Sequence, residues 1–200
     1  SCFCSSDSRD PNERRCYKMM VSEFKEPEVA TYFSKITDLL FDPACEVRLS
    51  SDHIFKDNCS RFPIEFLRRE CNWNSQAQAI LAEIEQETDP GLKRQLFEEL
   101  GNVIVEDPDL YAAMNDSLVS AVNRSIRRIR RNYKLAVPCF FPTRNVMSMM
   151  LPLSFTYTGD PCLVLVCERT YSGDYLGQTV LTLPMAYVDA RLICQPGSEW

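Results

Sequence analysis

The stretch RRNYKLAVPCFFPTRNVMSMMLPLSF, residues 130–155, decides the fold. Up to Tyr133 the apolar residues recur at three- and four-residue spacing, the period of a helix with one buried side. From Lys134 the pattern changes. KLAVPCFF (134–141) and NVMSMMLPLSF (145–155) are apolar, strand-like runs separated by PTR. CLVLVCERT (162–170) and YLGQTVLTL (175–183) follow after TYTGDP, and YSGD between them reads as a hairpin turn. PMAYVDARLIC (184–194) predicts a short closing helix, with Met185, Val188 and Leu192 recurring at three- and four-residue spacing. Helices first and strands afterwards predict an α+β fold: a helical N-terminal layer packed on a mostly antiparallel C-terminal sheet of about four strands.

Upstream, residues 63–135 read as four helices. PIEFLRRECN starts at Pro63. SQAQAILAEIEQET begins at Ser75, and GLKRQLFEELGNVIVE follows DPG. The longest, through residue 133, has Asp107 as its cap and Pro108 in its first turn. Before them, EVRLSS offers a short strand through Val47 and Leu49, and SDHIFKDN a turn of helix capped by Ser51 or Asp52. EVATYFSKITDLLF carries Val29, Tyr32, Phe33, Ile36 and Leu40 at helical spacing. Residues 1–28 form an irregular cysteine-containing arm. Residues 29–200 form one α+β domain, mainly helical over 29–133 and mainly strands with a terminal short helix over 134–200.

With 45% hydrophobic and 25% charged residues, the 200-residue chain has the material for a core that does not depend on disulfides. No apolar run approaches the roughly 20 residues that span a bilayer, so no membrane partner is expected. The opening SCFCSSDSRDPNERRC lacks the apolar run of a signal peptide, and both ends read as cut ends. Of the ten cysteines, Cys139, Cys162, Cys167 and Cys194 lie in apolar surroundings, where cysteine behaves as a small hydrophobe. Reduced thiols and an intracellular, cytoplasmic protein follow as the expectation. Cys2, Cys4 and Cys16 are the candidate metal ligands, with Cys45, Cys59 or His53 as a fourth. Their Cys-x-Cys spacing is tighter than that of structural zinc sites, and no second pair follows, so no metal is assigned.

The chain has a net charge of −6, yet Arg124, Arg127, Arg128, Arg130, Arg131 and Lys134 fall within eleven positions. On a helix, Leu118, Val122, Ile126, Ile129 and Tyr133 form a core-facing stripe, and Arg124, Arg127, Arg128 and Arg131 fall opposite. Three readings fit. The arginines can be neutralised by residues 83–109, which hold nine acids and two bases. They can grip phosphate, since arginine engages it bidentately. Or the helix can lie on a membrane surface, against which the absence of tryptophan from its apolar stripe argues. Tyr175 is a candidate for stacking on bases.

Catalytic candidates are few. His53, the only histidine, stands four residues before Asp57, so on a helix the acid can orient the imidazole. A lone histidine near a helix start is more often a capping or packing residue. Glu168 and Asp189 can meet only through the fold. As a pair they can hold a divalent ion for phosphodiester chemistry, or serve structurally, Glu168 with Arg169 or Arg191. SGDYLG lacks the spacing of a phosphate-binding glycine loop, and no motif identifies a cofactor.

EVRLSSDHIFKDNCSRFP (46–63), RRNYKLAVPCFFP (130–142), MLPLSF (150–155), LVLVCERT (163–170) and YLGQTVLTLPMAYVDARLICQPGSEW (175–200) together resemble an uncharacterised family, a domain of unknown function in bacteria and some eukaryotes. That family is often found beside cold-shock-like or winged-helix nucleic-acid-binding modules. The resemblance implies an RNA-linked role by association and supplies no reaction. The function expected is a non-enzymatic module binding RNA or another phosphate-bearing ligand through Arg124, Arg127, Arg128, Arg131 and Lys134. The alternatives are a metal-dependent enzyme on nucleic acid or nucleotides, using His53, Glu168 and Asp189, and a protein-interaction module. Neither cofactor nor oligomeric state is legible.

Overall fold

The computed structural model describes residues 33, 35–141, 145–156, 159–190, 193 and 197, all in the compact unit Tyr32–Trp200. The arm with Cys2, Cys4 and Cys16, together with Val29, Tyr32, Tyr157, Arg191, Leu192 and Cys194, lies outside the described residues.

The elements run β1 (Val47–Leu49), α1 (Ser51–Asp57), α2 (Ile64–Glu70), α3 (Ser75–Gln86), α4 (Pro90–Glu106), α5 (Pro108–Ile129), β2 (Val137–Phe141), β3 (Val146–Leu153), β4 (Leu163–Arg169), β5 (Tyr175–Leu181) and α6 (Leu183–Ala190), with short 3-10 turns at Ile36–Leu39, Cys59–Arg61 and Tyr133–Leu135. The fold is α+β, and the sheet order is β1-β5-β4-β3-β2. The four C-terminal strands pair antiparallel in sequence order. The sheet has five strands because β1 joins β5 in parallel, Val47 opposite Tyr175.

Local chemistry explains the helix starts. The Asn74 side chain accepts from the backbone N–H of Ala77, and Asp89 accepts from that of Leu92. Asp107 accepts from the N–H groups of Asp109 and Leu110 through Oδ1, while Oδ2 takes a 2.8 Å bond from the Asn74 amide. One carboxylate thus joins the caps of α3 and α5. At α1 the cap position is Ser50. Ser51 and Asp52 lie inside the helix, and their side chains bind Asn115 and Tyr111 of α5 instead.

The sheet is covered on both sides. Leu163, Leu165 and Cys167 of β4 face the main core with α1–α5, whereas Val164 and Val166 join Val137, Cys139, Met150, Ala186 and Ala190 beneath α6. A strand buried on both sides reads as a continuous apolar run, as LVLVC does. α6 approaches through its alanines. Met185 and Val188, the expected apolar repeat, are 39% and 60% exposed, because only small residues allow close helix-to-sheet contact here. Tyr133, expected in the α5 stripe, is 63% exposed: α5 ends at Ile129 and the next residues tighten into a 3-10 turn. Likewise Ile36 and Leu40 are exposed around a single 3-10 turn, so the predicted helix there is not made by the described residues.

Gly101 sets the spacing of α1 and α4. A Cβ there would stand 2.7 Å from the Lys56 carbonyl oxygen and 2.9 Å from that of Phe55. Among the described residues no helix is long and apolar enough to cross a membrane, and the six described cysteines carry no disulfide.

Candidate binding cleft

β3 leaves the sheet where its neighbours change. Its pairing with β2 ends at Met150, so Pro152 has only β4 beside it, where a missing N–H is tolerated. Phe155 then turns into the core, its ring 4.1 Å from that of Phe66 and 6.0 Å from that of Phe62. This leaves the backbone of residues 154–156 exposed to two helices, α2 and α5, and the space between is a cleft of about 560 Å³.

Three guanidinium groups donate to carbonyls that follow β3, two of them in that segment. Arg124 donates to the Ser154 carbonyl at 2.9 Å, Arg128 to the Gly159 carbonyl at 2.7 Å, and Arg69 to the Phe155 carbonyl at 3.0 Å. All three line the cleft. Arg69 also pairs with Glu70 and lies over the Phe66 ring. Arg124 and Arg128 pair with no carboxylate among the described residues. Each is tethered through a neutral acceptor, which orients the guanidinium without cancelling its charge. Most of its five donors remain available, a geometry suited to an oxyanion. Asp116, Ser117 and Ser120 continue the same side of α5 toward its N-terminus. Ser125, which also lines the cleft, is 3% exposed, and its hydroxyl has no partner among the described residues.

The six bases of the α5 region therefore have separate roles. Arg124 and Arg128 serve the cleft. Arg130 turns the other way and donates to the Pro43 carbonyl at 3.0 Å. The side chains of Arg127, Arg131 and Lys134 are exposed, and no hydrogen bond or ion pair holds them among the described residues. Among the described residues no carboxylate of residues 83–109 forms an ion pair with these bases. Glu85 pairs with Arg68 and Glu98 with Arg94, Glu87 accepts from the N–H groups of Thr88 and Asp89, and Asp89 and Asp107 cap helices.

Tyr175 is not a stacking group. It is 2% exposed, its ring lies 4.5 Å from that of Phe41, and its hydroxyl accepts from the backbone N–H of Asp42. Burial on β5 leaves it no face to offer a base. The catalytic candidates stand in separate surroundings. His53 meets Asp57 at 2.6 Å on the exposed side of α1. Glu168 accepts from the Gln178 amide at 2.9 Å. Asp189 lies within the field of Arg61, and burial pushes its carboxyl above the ordinary value. None of the three lines the cleft. Among the described residues no three His, Cys, Asp or Glu side chains gather at metal-binding range.

Sequence reading found Arg124 and Arg128 but missed Arg69, Asp116, Ser117, Ser120 and Ser125. A usable signal was present for the α5 residues. Ser117, Ser120, Arg124 and Arg128 recur at three- and four-residue spacing, beside the apolar stripe. For Arg69 there was none.

No curated protein and no solved structure matches the chain. The family model described as a domain of unknown function, DUF3825, matches residues 3–200, and the chain belongs to that family.

Proposed function

We propose that this domain is a non-enzymatic module that binds RNA, or another phosphate-bearing ligand, along the cationic side of α5. The observation that carries the reading is the state of Arg124 and Arg128. Both are held by backbone carbonyls at the cleft, and neither has a carboxylate partner among the described residues. Arg127, Arg131 and Lys134 extend the positive surface beyond the cleft toward the end of the helix. A chain of net charge −6 with one such surface directs a polyanion to that place and repels it elsewhere. The reading implies an intracellular, cytoplasmic protein, in keeping with six free thiols among the described residues.

The test is binding of a labelled single-stranded RNA at several salt concentrations. Affinity is expected to fall with salt, at a logarithmic slope of roughly −0.7 for each phosphate engaged. The triple variant Arg127→Glu, Arg131→Glu, Lys134→Glu changes only exposed side chains that no hydrogen bond or ion pair holds among the described residues. It should therefore leave the melting temperature nearly unchanged while flattening that slope by about 2. Binding that is absent at low salt, or that is indifferent to the triple reversal, overturns the reading.

A further inference from the structure

The cleft is chemically two-ended. Its cationic end is Arg124 and Arg128, with Arg69 on the α2 wall already paired with Glu70. At its other end stand Asp116, Ser117 and Ser120, and Asp116 is exposed, with no partner among the described residues. A site that bound phosphate alone would be weakened by that carboxylate, since like charges repel across a cleft. The carboxylate is an asset only if the ligand also carries hydrogen-bond donors near its phosphate. Ser120 lies one turn before Arg124. Asp116 lies eight residues before it, a rise of about 12 Å along the axis. Long side chains on a helix lean toward its N-terminus, so the guanidinium of Arg124 stands closer to the acidic end than its Cα does. A phosphate on Arg124 would place the attached sugar beside Ser120 and Ser117, with Asp116 next. The sugar group that donates a hydrogen bond within an RNA strand is the 2′-hydroxyl, and DNA lacks it.

We infer that the cleft accepts one ribonucleotide of a bound strand, with its phosphate on Arg124 and Arg128 and its 2′-hydroxyl donating to the carboxylate of Asp116, so that the domain prefers RNA to DNA. This rests on the reading of the α5 surface as a phosphate-binding one. It adds the substrate class and the residue that selects it. Ser117 and Ser120 complete the polar wall along which the sugar lies. The exposed bases Arg127, Arg131 and Lys134 contact backbone common to both nucleic acids and contribute no preference.

The experiment compares labelled single-stranded RNA and DNA of the same sequence on wild type and on Asp116→Asn, with the Arg127, Arg131 and Lys134 triple reversal alongside. Wild type should favour RNA by about tenfold or more, the usual effect of one hydrogen bond to a charged acceptor. Asp116→Asn should fold normally and bring the ratio toward unity, by losing RNA affinity and gaining DNA affinity as the repulsion is removed. The triple reversal should weaken both strands by the same factor and keep their ratio. Equal affinities in wild type overturn the inference while leaving the phosphate-binding reading intact. So does an equal gain for both strands in Asp116→Asn. Absence of binding to either strand removes both.

Discussion

Ser125 and Ser148 provide a direct test of the packing described above. They are 3% and 1% exposed, and both hydroxyls lack a partner among the described residues. A buried hydroxyl without a hydrogen bond costs about 1–3 kcal/mol relative to the solvated chain. The substitution Ser125→Ala removes that cost. It also improves helix propensity by about 0.5 kcal/mol in the middle of α5. Against this stand the dispersion contacts of one oxygen, at about 0.1–0.2 kcal/mol for each neighbouring atom. Taking the low end of the penalty, Ser125→Ala should stabilise by about 1 kcal/mol. Ser148→Ala, in a β-strand where alanine has no propensity advantage, should stabilise by about 0.5 kcal/mol. Equilibrium denaturation in urea measures both, with the midpoint rising and the slope unchanged. For a unit of this size the first substitution corresponds to about 2–4 °C in melting temperature. A loss of 1 kcal/mol or more in either variant would refute the reasoning, because it would show that the hydroxyl is satisfied in the folded protein.

Three further substitutions probe the frame around the cleft. Gly101→Ala puts a methyl group against backbone oxygens of α1 that cannot rotate away. Overpacking of that kind outweighs the helix-propensity gain of about 1 kcal/mol and should leave the protein about 2 kcal/mol less stable in chemical denaturation. Asp107→Ala removes the cap of α5 and the bond to Asn74 together, and a loss of about 2 kcal/mol is expected by the same measurement. Burial raises the Asp189 carboxyl, and the field of Arg61 only partly reverses this. The folded chain therefore holds that proton to higher pH than the unfolded chain does. The resulting stability is fully present below the ordinary carboxylate range and is lost as pH rises through the raised value. Asp189→Asn should be more stable than wild type at neutral pH, with the difference closing under acid, as read from melting temperature across pH.

The architecture was legible where the physics is local. Period and turn chemistry marked the change at Lys134, the hairpin through YSGD, the cap at Asp107 and the first turn at Pro108. The fifth strand was legible only as a short extended piece, because its partner, Tyr175–Gly177, lies over a hundred residues away. Exposure failed where two apolar repeats competed. In α6 the alanines face the sheet and the larger Met185 and Val188 do not. Tyr175 shows the same limit, since a tyrosine in a strand looks alike in sequence whether it faces solvent or Phe41. Arg68 and Arg69 are the sharpest case. They are adjacent and chemically identical, yet Arg68 meets Glu85 across the helices while Arg69 turns to Phe155 and the cleft. Only the approach of the segment after β3 distinguishes them.

That segment also explains why arginine suits the cleft better than lysine. A guanidinium can give one N–H to a carbonyl and still present a planar set of donors to a second acceptor, whereas an ammonium is a single point of charge. Arg124 and Arg128 each use one donor on a backbone carbonyl, of Ser154 and of Gly159. They are thus already part of the folded framework before any ligand arrives, and the ordering of those long side chains is not charged against binding. The same economy makes them poor places to test function by charge reversal alone, because losing either one also frees a backbone carbonyl. Arg127, Arg131 and Lys134 have no such second role among the described residues. Asp116 is likewise exposed and unpartnered there. Those four positions are where a change in binding can be read without a change in fold.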